Sequence, residues 1–213
     1  MGTNAIKLDL AKMDKTYYGT RSVPTLIELA PLPYVVIDGK GDPDTEVFKV
    51  AVEALYSVAY GVKMMCKKEG RDFTVAKLEG QWWVEDAAWE EANQDMSQIP
   101  RSEWLWRLII RMLDFVDQEV VDKARQVAAH KKKELDRIDQ VSYERIHEGL
   151  CVQMLHIGPF RTEPETVKVM EAFMKENSLH ISGLHHEIYL SDFRRVEPSA
   201  RKTILRYPVT RTI

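Results

Sequence analysis

The feature that most restricts the fold of this chain is the order of its secondary-structure patterns, β-α-β-β followed again by β-α-β-β. Strand patterns occur at residues 34–37, 73–78, 104–111, 149–157, 184–190 and 202–209. A helix of about six turns is predicted after Asp44 or Thr45. A second is predicted after a capping box of Thr162 and Glu165. An internal duplication explains this order most simply. The predicted fold class is α+β, an antiparallel sheet with helices on one face and a concave groove on the other.

The chain is predicted to form a single domain over residues 1–213. Its parts are an N-terminal arm (1–30), a first repeat (31–113), a connector helix (114–140) and a second repeat (141–213). The arm has weak periodicity, so we expect an extended segment with little chemistry. The polar segment 85–101 is expected to be a loop. The last strand is predicted to lie at a sheet edge, because Pro208 has no N–H group to donate.

Composition excludes several classes of protein. The 213 residues are 45% hydrophobic and 30% charged, which is ordinary for a globular protein. The net charge is −3 and the basic residues are dispersed, so no direct nucleic-acid partner is expected. No run of about 18 apolar residues and no secretion signal occurs, which predicts a cytoplasmic protein without membrane contact. Cys66 and Cys151 lie in unrelated contexts and are predicted to be reduced, buried thiols.

The strand pattern at residues 184–190 contains the principal candidate, Glu187. At a period of two residues, His185, Glu187 and Tyr189 share one face of this strand. A carboxylate among aromatic and apolar neighbours is costly unless it is paired, and a ligand is one such partner. An ordinary half-solvated sheet face is the alternative interpretation.

Aromatic residues form the second group of candidates. Trp82, Trp83, Trp104 and Trp106 lie within 25 positions of one another. Core packing explains any one of them as well as ligand contact does, but we expect at least one of Trp82 and Trp106 to face the groove. Trp89 is interpreted as part of a lid or as plain surface. Phe160, after the strand break at residues 158–159, is placed either at the mouth of the groove or in a loop contact.

A metal site is not predicted. His185 and His186 are adjacent, and in a regular strand their side chains point to opposite faces, so they cannot both reach one ion. No cofactor-binding motif is recognised, and neither cysteine is a convincing nucleophile. The sequence therefore predicts neither a metal nor a cofactor.

Several segments together resemble the GyrI-like small-molecule-binding domains, which also form the effector-binding parts of some multidrug-sensing transcription regulators. The resemblance is carried by Leu-His-His-Glu-Ile-Tyr-Leu-Ser-Asp at 184–192, by 194–198 (Arg194 to Pro198) and by 202–209. The segments 33–43 and 78–83 are similar to the stand-alone branch of the family. The resemblance covers about residues 20 to 213. No helix-turn-helix pattern precedes residue 30, so a complete DNA-binding regulator is not expected.

The resemblance implies two β-α-β-β units related by a pseudo-two-fold axis around an aromatic cleft, with Glu187 at the position of the family's central glutamate. The implied ligands are planar, hydrophobic, often cationic aromatic molecules that are sequestered or sensed. The candidate ligand-binding residues are Trp82, Trp83, Trp106, Phe160, His185, Glu187, Tyr189 and Tyr207.

The alternative function is a metal-free hydrolase that opens cyclopropane-type rings of DNA-alkylating toxins, as some stand-alone members are thought to do. Glu187 would be the general base, and Tyr189 or Tyr207 would orient the water or protonate the leaving oxygen. A third alternative, a groove that accepts a peptide or protein surface, is not favoured by any residue. The oligomeric state is left open.

Overall fold

The computed structural model describes residues 7–92, 98–192 and 195–211. Its strands are β1 (Thr25–Leu29), β2 (Leu32–Lys40), β3 (Leu78–Trp83), β4 (Leu105–Arg111), β5 (Ser142–Ile146), β6 (Gly149–Ile157), β7 (Leu179–Ile181), β8 (His185–Tyr189) and β9 (Lys202–Arg211). Its α-helices are α1 (Leu10–Met13), α2 (Lys15–Tyr18), α3 (Glu46–Lys68), α4 (Asp86–Glu91), α5 (Gln118–Lys131) and α6 (Glu163–Glu176). The α+β class and the repeated β-α-β-β order are confirmed, with β1, β5 and the short β7 as additions.

The described residues divide into two compact units. The first unit draws on Met1–Asp9, Pro33–Ala76 and Gly80–Arg145, and the second on Leu10–Leu32, Lys77–Glu79 and Ile146–Ile213. Each unit is interrupted in sequence, so neither coincides with one predicted repeat. The assignment of residues 1–213 to a single domain stays a prediction.

In the first unit, a long helix packs on the strands through one apolar face. β2 pairs antiparallel with β4, from Tyr34 opposite Arg111 to Lys40 opposite Leu105. Helix α3 begins directly after Thr45 and buries alanine, leucine and valine side chains at helical spacing. It packs against β4 and α5. The length predicted for this helix is confirmed, because its 23 residues make about six turns.

Two predicted elements of the first half are wrong in position. The strand predicted at residues 73–78 is formed instead by Leu78–Trp83 (β3). Phe73 forms only an isolated bridge with Leu8. The predicted loop 85–101 contains α4, whose Asp86 in the first turn complements the helix dipole and whose alanines favour a helix. Residues 93–97 of that loop lie outside the described residues. None of the described helices is both long and apolar enough to cross a membrane.

In the second unit, the strands follow the order β1-β6-β9-β8, and β7 also pairs with β9. Helix α6 covers one face of this group. Its Met170 and Met174 pack with Val152 of β6 and Leu205 of β9 in a buried hydrophobic cluster. Neighbouring residues of β9 point to opposite faces, so Arg206 faces away from α6.

The prediction that the last strand lies at a sheet edge is wrong. β9 pairs with β6 on one side and with both β8 and β7 on the other. The pairing with β8 ends at Arg206 and the pairing with β7 begins at Val209. Pro208 falls between these two partners, and its carbonyl accepts from the N–H of Ser182. A proline is tolerated there because that gap does not require a ladder donor.

The N-terminal arm is not an extended segment with little chemistry, as the sequence predicted. Within residues 7–30 it forms α1, α2 and β1. The Asp14 side chain caps α2 by accepting from the N–H of Tyr17. Tyr17 and Tyr18 are buried, and both hydroxyl groups donate to the carboxylate of Glu79. The arm therefore supplies buried polar groups to the second unit.

A buried row of charges crosses the strands of the second unit on the face away from α6. The ring of His186 donates through Nδ1 to Glu148 (2.8 Å) and through Nε2 to Glu79 (3.0 Å). Arg206 lies opposite His186 in the strand register and donates to Glu148 (2.9 Å) and to the side chain of Gln153. Two carboxylates face two cations in this row, so its charges balance.

The row depends on a protonated imidazole, because both ring nitrogens act as donors. Burial by itself would lower the pKa of His186, but Glu148 and then Glu79 outweigh it and raise the pKa to about 9. Burial would likewise raise the pKa of Glu148, yet the charges and hydrogen bonds of His186 and Arg206 lower it to about 2. The charged forms of both residues are therefore the stable ones in the folded protein at neutral pH.

The first prediction concerns stability against pH. The pKa of His186 is about 9 in the folded protein against 6.5 as the ordinary value, so its contribution is complete below pH 6.5 and is lost as the pH rises through 9. The loss should be on the order of 3 kcal/mol. Urea unfolding of the wild type at intervals from pH 6 to 9.5 measures it. His186→Gln should be less stable at pH 6 and should lose less stability over that range. Parallel pH curves for the two proteins would show that His186 is not charged in the fold.

Candidate functional site

The alternation of β8 holds in the structure and places Glu187 on the face that α6 covers. Glu187 lies opposite Leu205 in the strand register, and Leu205 packs against Met170 of α6. His185 and Tyr189 share this face with Glu187, while His186 points to the other. The sequence had placed the binding groove on the face without helices. Alternation shows which residues share a face, but it does not show which face a helix covers.

A second carboxyl group, that of Glu163, meets Glu187 at this position. Glu163 is the first residue of α6 and is only 7% exposed. Its carboxyl group is hydrogen-bonded to that of Glu187, and the hydroxyl of Thr203 donates to it. Its Oε1 atom is buried without a hydrogen-bond partner among the described residues. The contact of this buried carboxyl group with the partly buried one of Glu187 is the central feature of the site.

Sequence reasoning missed Glu163. The predicted capping box drew attention to Thr162 and Glu165, but the Thr162 side chain makes no capping hydrogen bond and donates to the Pro159 carbonyl instead. The only local signal was a glutamate at a helix start, which is common because it complements the helix dipole. Nothing in the sequence indicates that this helix begins beside Glu187.

The contact between the carboxyl groups determines their protonation. Burial raises the pKa of Glu163, the negative charge of Glu187 raises it further, and the result is about 10. Two carboxyl groups can share a hydrogen bond only if one of them carries a proton. At neutral pH, Glu163 is therefore the protonated member of the pair.

His185 and Tyr207 complete the group that we call the carboxyl site, namely Glu163, His185, Glu187 and Tyr207. The Nε2 atom of His185 lies 3.2 Å from Oε1 of Glu187, and its ring centroid lies 4.8 Å from that of Tyr207. Its Nδ1 is buried and has no partner in the described ranges. Burial first, and then the charges of Glu171 and the carboxyl pair, raise the pKa of Tyr207. The phenol therefore stays neutral and keeps a proton that it can donate.

Two further predicted residues, Tyr189 and Phe160, pack together near this site. Their ring centroids are 6.0 Å apart in an edge-to-face arrangement, and Tyr189 shares the strand face of Glu187. Phe160 is 37% exposed, and the guanidinium of Arg201 lies 5.5 Å from its ring centroid. The pair supplies an aromatic surface that solvent can reach.

The tryptophans belong to the first unit and form a cluster there. Trp106 is fully buried, packs edge-on against Phe48 and donates to the Gly41 carbonyl (3.2 Å). Trp82 stacks on Phe48 and contacts Trp104. Trp106 thus has a packing role, while Trp82, Trp83 and Trp104 are partly buried. Trp89 is exposed on α4. Ligand contact by Trp82, Trp83 and Trp106 stays a prediction.

Three residues of the carboxyl site carry atoms that can bind a metal ion. One atom each of Glu163, His185 and Glu187 lie within 4.8 Å of one another, close enough for a single ion. The hydrogen bond between the two carboxyl groups places a proton in the same contact, and a proton and a metal ion cannot both occupy it. The predicted lack of a metal or cofactor stays a prediction.

A separate open cleft of about 410 Å³ lies in the second unit beside the start of α6. Its lining includes Glu165 and His156, and the His156 Nδ1 is bonded to Thr166 (2.8 Å) while its Nε2 lies 3.3 Å from the Pro159 carbonyl. Both ring nitrogens are therefore occupied by structural contacts. The carboxyl site is the stronger candidate, because its buried polar atoms still lack partners.

Comparison with known proteins gives the family. The sequence model of the GyrI-like small-molecule-binding domain matches residues 22–209. An uncharacterized conserved protein from Listeria innocua is 40% identical, with a TM-score of 0.87 over 96% of this chain and 100% of that chain. A hydrolase from Listeria innocua is 39% identical, with a TM-score of 0.82 and the same coverage of both chains. The chain belongs to the GyrI-like small-molecule-binding domain family.

More distant structures share the fold alone. The C-terminal domain of EcmrR is 9% identical, with a TM-score of 0.57 over 89% of this chain and 98% of that chain. Comparison with curated proteins returns no match. Of the motif that carried the resemblance, Arg194 lies outside the described residues.

The second prediction tests the proton of Glu163. At pH 7, the infrared difference spectrum between the wild type and Glu163→Gln should contain the carbonyl band of a protonated carboxylic acid, because the pKa of Glu163 is raised to about 10. Glu165→Gln is the matched control, since Glu165 is exposed in the first turn of the same helix and should contribute only carboxylate bands. If the protonated band is missing at pH 7, the two carboxyl groups do not share a proton.

Proposed function

We propose that this protein binds planar aromatic small molecules, preferentially cations, at the carboxyl site, and so sequesters or senses drugs or toxins. The observation that carries this proposal is the contact of the buried Glu163 with the partly buried Glu187, in which Oε1 of Glu163 accepts from no donor among the described residues. Unpartnered buried polar atoms are rare, because each one costs about 1–3 kcal/mol of lost hydrogen bonding. A ligand that supplies a donor or a positive charge recovers that cost.

Charge gives the expected selectivity. Glu187 faces one protonated carboxyl group and the ring of His185. An incoming cation pairs with an ionised carboxylate in a partly dehydrated position, where the attraction is stronger than in water. An anion of the same shape meets repulsion at the same place.

Aromatic side chains provide the nonpolar part of recognition. Tyr207 contacts His185, and the Tyr189–Phe160 pair offers ring faces and edges to a planar ligand. Aromatic and cation–π contacts contribute about 0.5 to 2 kcal/mol each when water is excluded. A few such contacts support micromolar affinity without close shape matching.

The third prediction compares two dyes with one xanthene skeleton. Fluorescence anisotropy should show micromolar binding of the cation rhodamine 6G and much weaker binding of the anion fluorescein. Glu187→Gln keeps the size of the side chain but removes its charge, so it should weaken rhodamine 6G binding about 10- to 100-fold. Glu165→Gln should bind like the wild type. Equal affinity for the two dyes would contradict charge selection. If Glu187→Gln bound rhodamine 6G as tightly as the wild type does, the dye would bind at another site.

A metal-free hydrolase is the second candidate function. It is favoured by the 39% identical protein from Listeria innocua that is described as a hydrolase, and by the presence of one protonated and one acceptor carboxyl group in contact. In this mechanism Glu187 takes a proton from a water molecule, which attacks a strained cyclopropane-type ring of a DNA-alkylating toxin. Tyr207, whose phenol stays protonated, orients the water or the substrate, and Tyr189 holds the aromatic part.

The fourth prediction tests hydrolysis directly. Incubation with a cyclopropane-bearing DNA alkylator should produce the ring-opened water adduct, which mass spectrometry detects as a mass increase of one water. Glu187→Gln should be slowed about 100-fold or more, in the range expected for loss of a general base. Equal turnover in that variant would exclude Glu187 as the base. If the protein binds the dye but does not open the ring, the hydrolase function is contradicted and only the binding function remains.

We also propose that the protein acts in the cytoplasm, without direct contact with nucleic acid. Both cysteines are free and buried, which suits a reducing compartment. Burial, then Glu148, raises the pKa of the Cys151 thiol to about 12, so this cysteine is not a reactive nucleophile.

A further inference from the structure

We propose that Glu163 and Glu187 form a self-resetting acid–base pair that adds water across the carbon–oxygen bond of aryl epoxides. This inference rests on the hydrolase candidate above and extends it to another class of substrate. It is drawn from the contact between the two carboxyl groups, from the free oxygen of Glu163 and from the aromatic surface beside them.

The acid and the base of this pair are immediate neighbours. The carboxyl groups of Glu163 and Glu187 are hydrogen-bonded to each other, and Glu163 is more than nine-tenths buried. Oε1 of Glu163 has no partner in the part of the chain that the structure describes. A half-turn about the Cγ–Cδ bond exchanges the two oxygens, so the hydroxyl of Glu163 can face either toward Glu187 or away from it.

This closeness restricts the substrate. A carboxyl group transfers a proton only over hydrogen-bond distance, about 2.6–3.2 Å. The water that Glu187 activates and the leaving atom that Glu163 protonates must therefore lie close together. In an epoxide the leaving oxygen is bonded directly to the attacked carbon. In a cyclopropane conjugated to a distant carbonyl, the negative charge develops several bonds away, beyond the reach of Glu163.

The two carboxyl groups supply and accept all the protons that the reaction moves. The water oxygen forms a bond to the benzylic carbon while the carbon–oxygen bond of the ring breaks, and the electron pair of that bond goes to the leaving oxygen. Glu163 gives its proton to this oxygen, and Glu187 receives a proton from the attacking water. The product is a vicinal diol, and no oxidant, reductant or metal ion takes part.

The pair then returns to its starting state without outside help. After the step, Glu187 carries a proton and Glu163 is ionised, the reverse of the resting arrangement. One transfer along their shared hydrogen bond restores the protonated Glu163, because burial favours its neutral form. Each turnover therefore consumes one water and releases no net proton.

The surrounding groups support this chemistry. Among the described residues, His185 on β8 and Tyr207 on β9 are titratable groups beside the pair, Glu171 on α6 acts on Tyr207, and Thr203 donates to Glu163. The neutral Tyr207 hydroxyl is a further donor for the epoxide oxygen. The Tyr189–Phe160 pair gives the aryl substituent a surface to pack on, which favours aryl over alkyl epoxides.

The fifth prediction uses trans-stilbene oxide in ¹⁸O-labelled water. Chromatography should show conversion to the diol, and mass spectrometry should find one ¹⁸O atom per product. The wild-type rate should fall at alkaline pH as Glu163 loses its proton, around the raised value of its pKa of about 10, at pH values where circular dichroism shows that the protein is still folded. An equal concentration of EDTA-treated protein should react at the same rate as untreated protein.

Three variants assign the roles. Glu163→Gln and Glu187→Gln should each lower kcat about 10²- to 10⁴-fold, and Glu163→Gln should also lose the alkaline fall in rate. Glu165→Gln should behave like the wild type. Circular dichroism and thermal unfolding of each variant separate a loss of chemistry from a loss of fold. The pH profile and the ¹⁸O label of the wild type provide evidence that does not depend on any variant.

Different results overturn different statements. Absence of diol from a protein that binds rhodamine 6G and opens a conjugated cyclopropane would overturn the epoxide inference and leave both proposed functions standing. Loss of epoxide turnover on chelation would overturn it in favour of a metal ion held by the same residues. Epoxide turnover without dye binding would support the acid–base pair and contradict the cation-binding function.

Discussion

The buried ion pairs that join His186 and Arg206 to Glu148 hold strands β8 and β9 of the second unit in their register, and the candidate site depends on that register. His186 lies opposite Arg206, and one carboxylate, Glu148, accepts from both. Removing one partner of such a buried group leaves an uncompensated charge, at a cost of about 3–5 kcal/mol. A slip of one residue in β8 would put His186 among the methionines of α6 and Glu187 on the wrong face. The charge row thus specifies the position of Glu187 without touching it.

Buried acidic side chains have opposite protonation states on the two faces of strands β8 and β9. On the face away from α6, carboxylates are neutralised by an imidazolium, a guanidinium and tyrosine hydroxyls, so Glu148 is ionised even though it is buried. On the face toward α6, Glu163 meets another acid, and burial together with that charge keeps it protonated. On the face away from α6 the buried charges balance one another, and their role is structural. The other face retains a proton, a buried oxygen without a donor among the described residues, and the partly exposed Tyr189–Phe160 pair, and it is the face on which we propose that ligands bind.

Several features of the fold follow from sequence pattern alone because they are local. The alternation at 184–190 places His185, Glu187 and Tyr189 together, and the helical spacing after Thr45 marks α3 over its full length. Patterns failed where distant contacts override local preference. Pro208 suggested an edge strand, but it falls in a gap between two partners of an inner strand. The sequence of the arm did not predict a role for Tyr17 and Tyr18, because neither belongs to a periodic pattern. In the structure, both hydroxyl groups donate to the carboxylate of Glu79.

The sequence by itself determined the α+β class, the twofold β-α-β-β order and the family to which the chain belongs, and it singled out Glu187. These depend on periodicity and on the order of motifs, which are properties of the chain. Only the tertiary structure decided that Glu187 lies on the α6 face and that Glu163, from the start of that helix, shares a proton with it. Proton sharing requires two carboxyl groups within hydrogen-bond distance, and that distance is set by the packing of a helix on a strand. No spacing in the sequence records it.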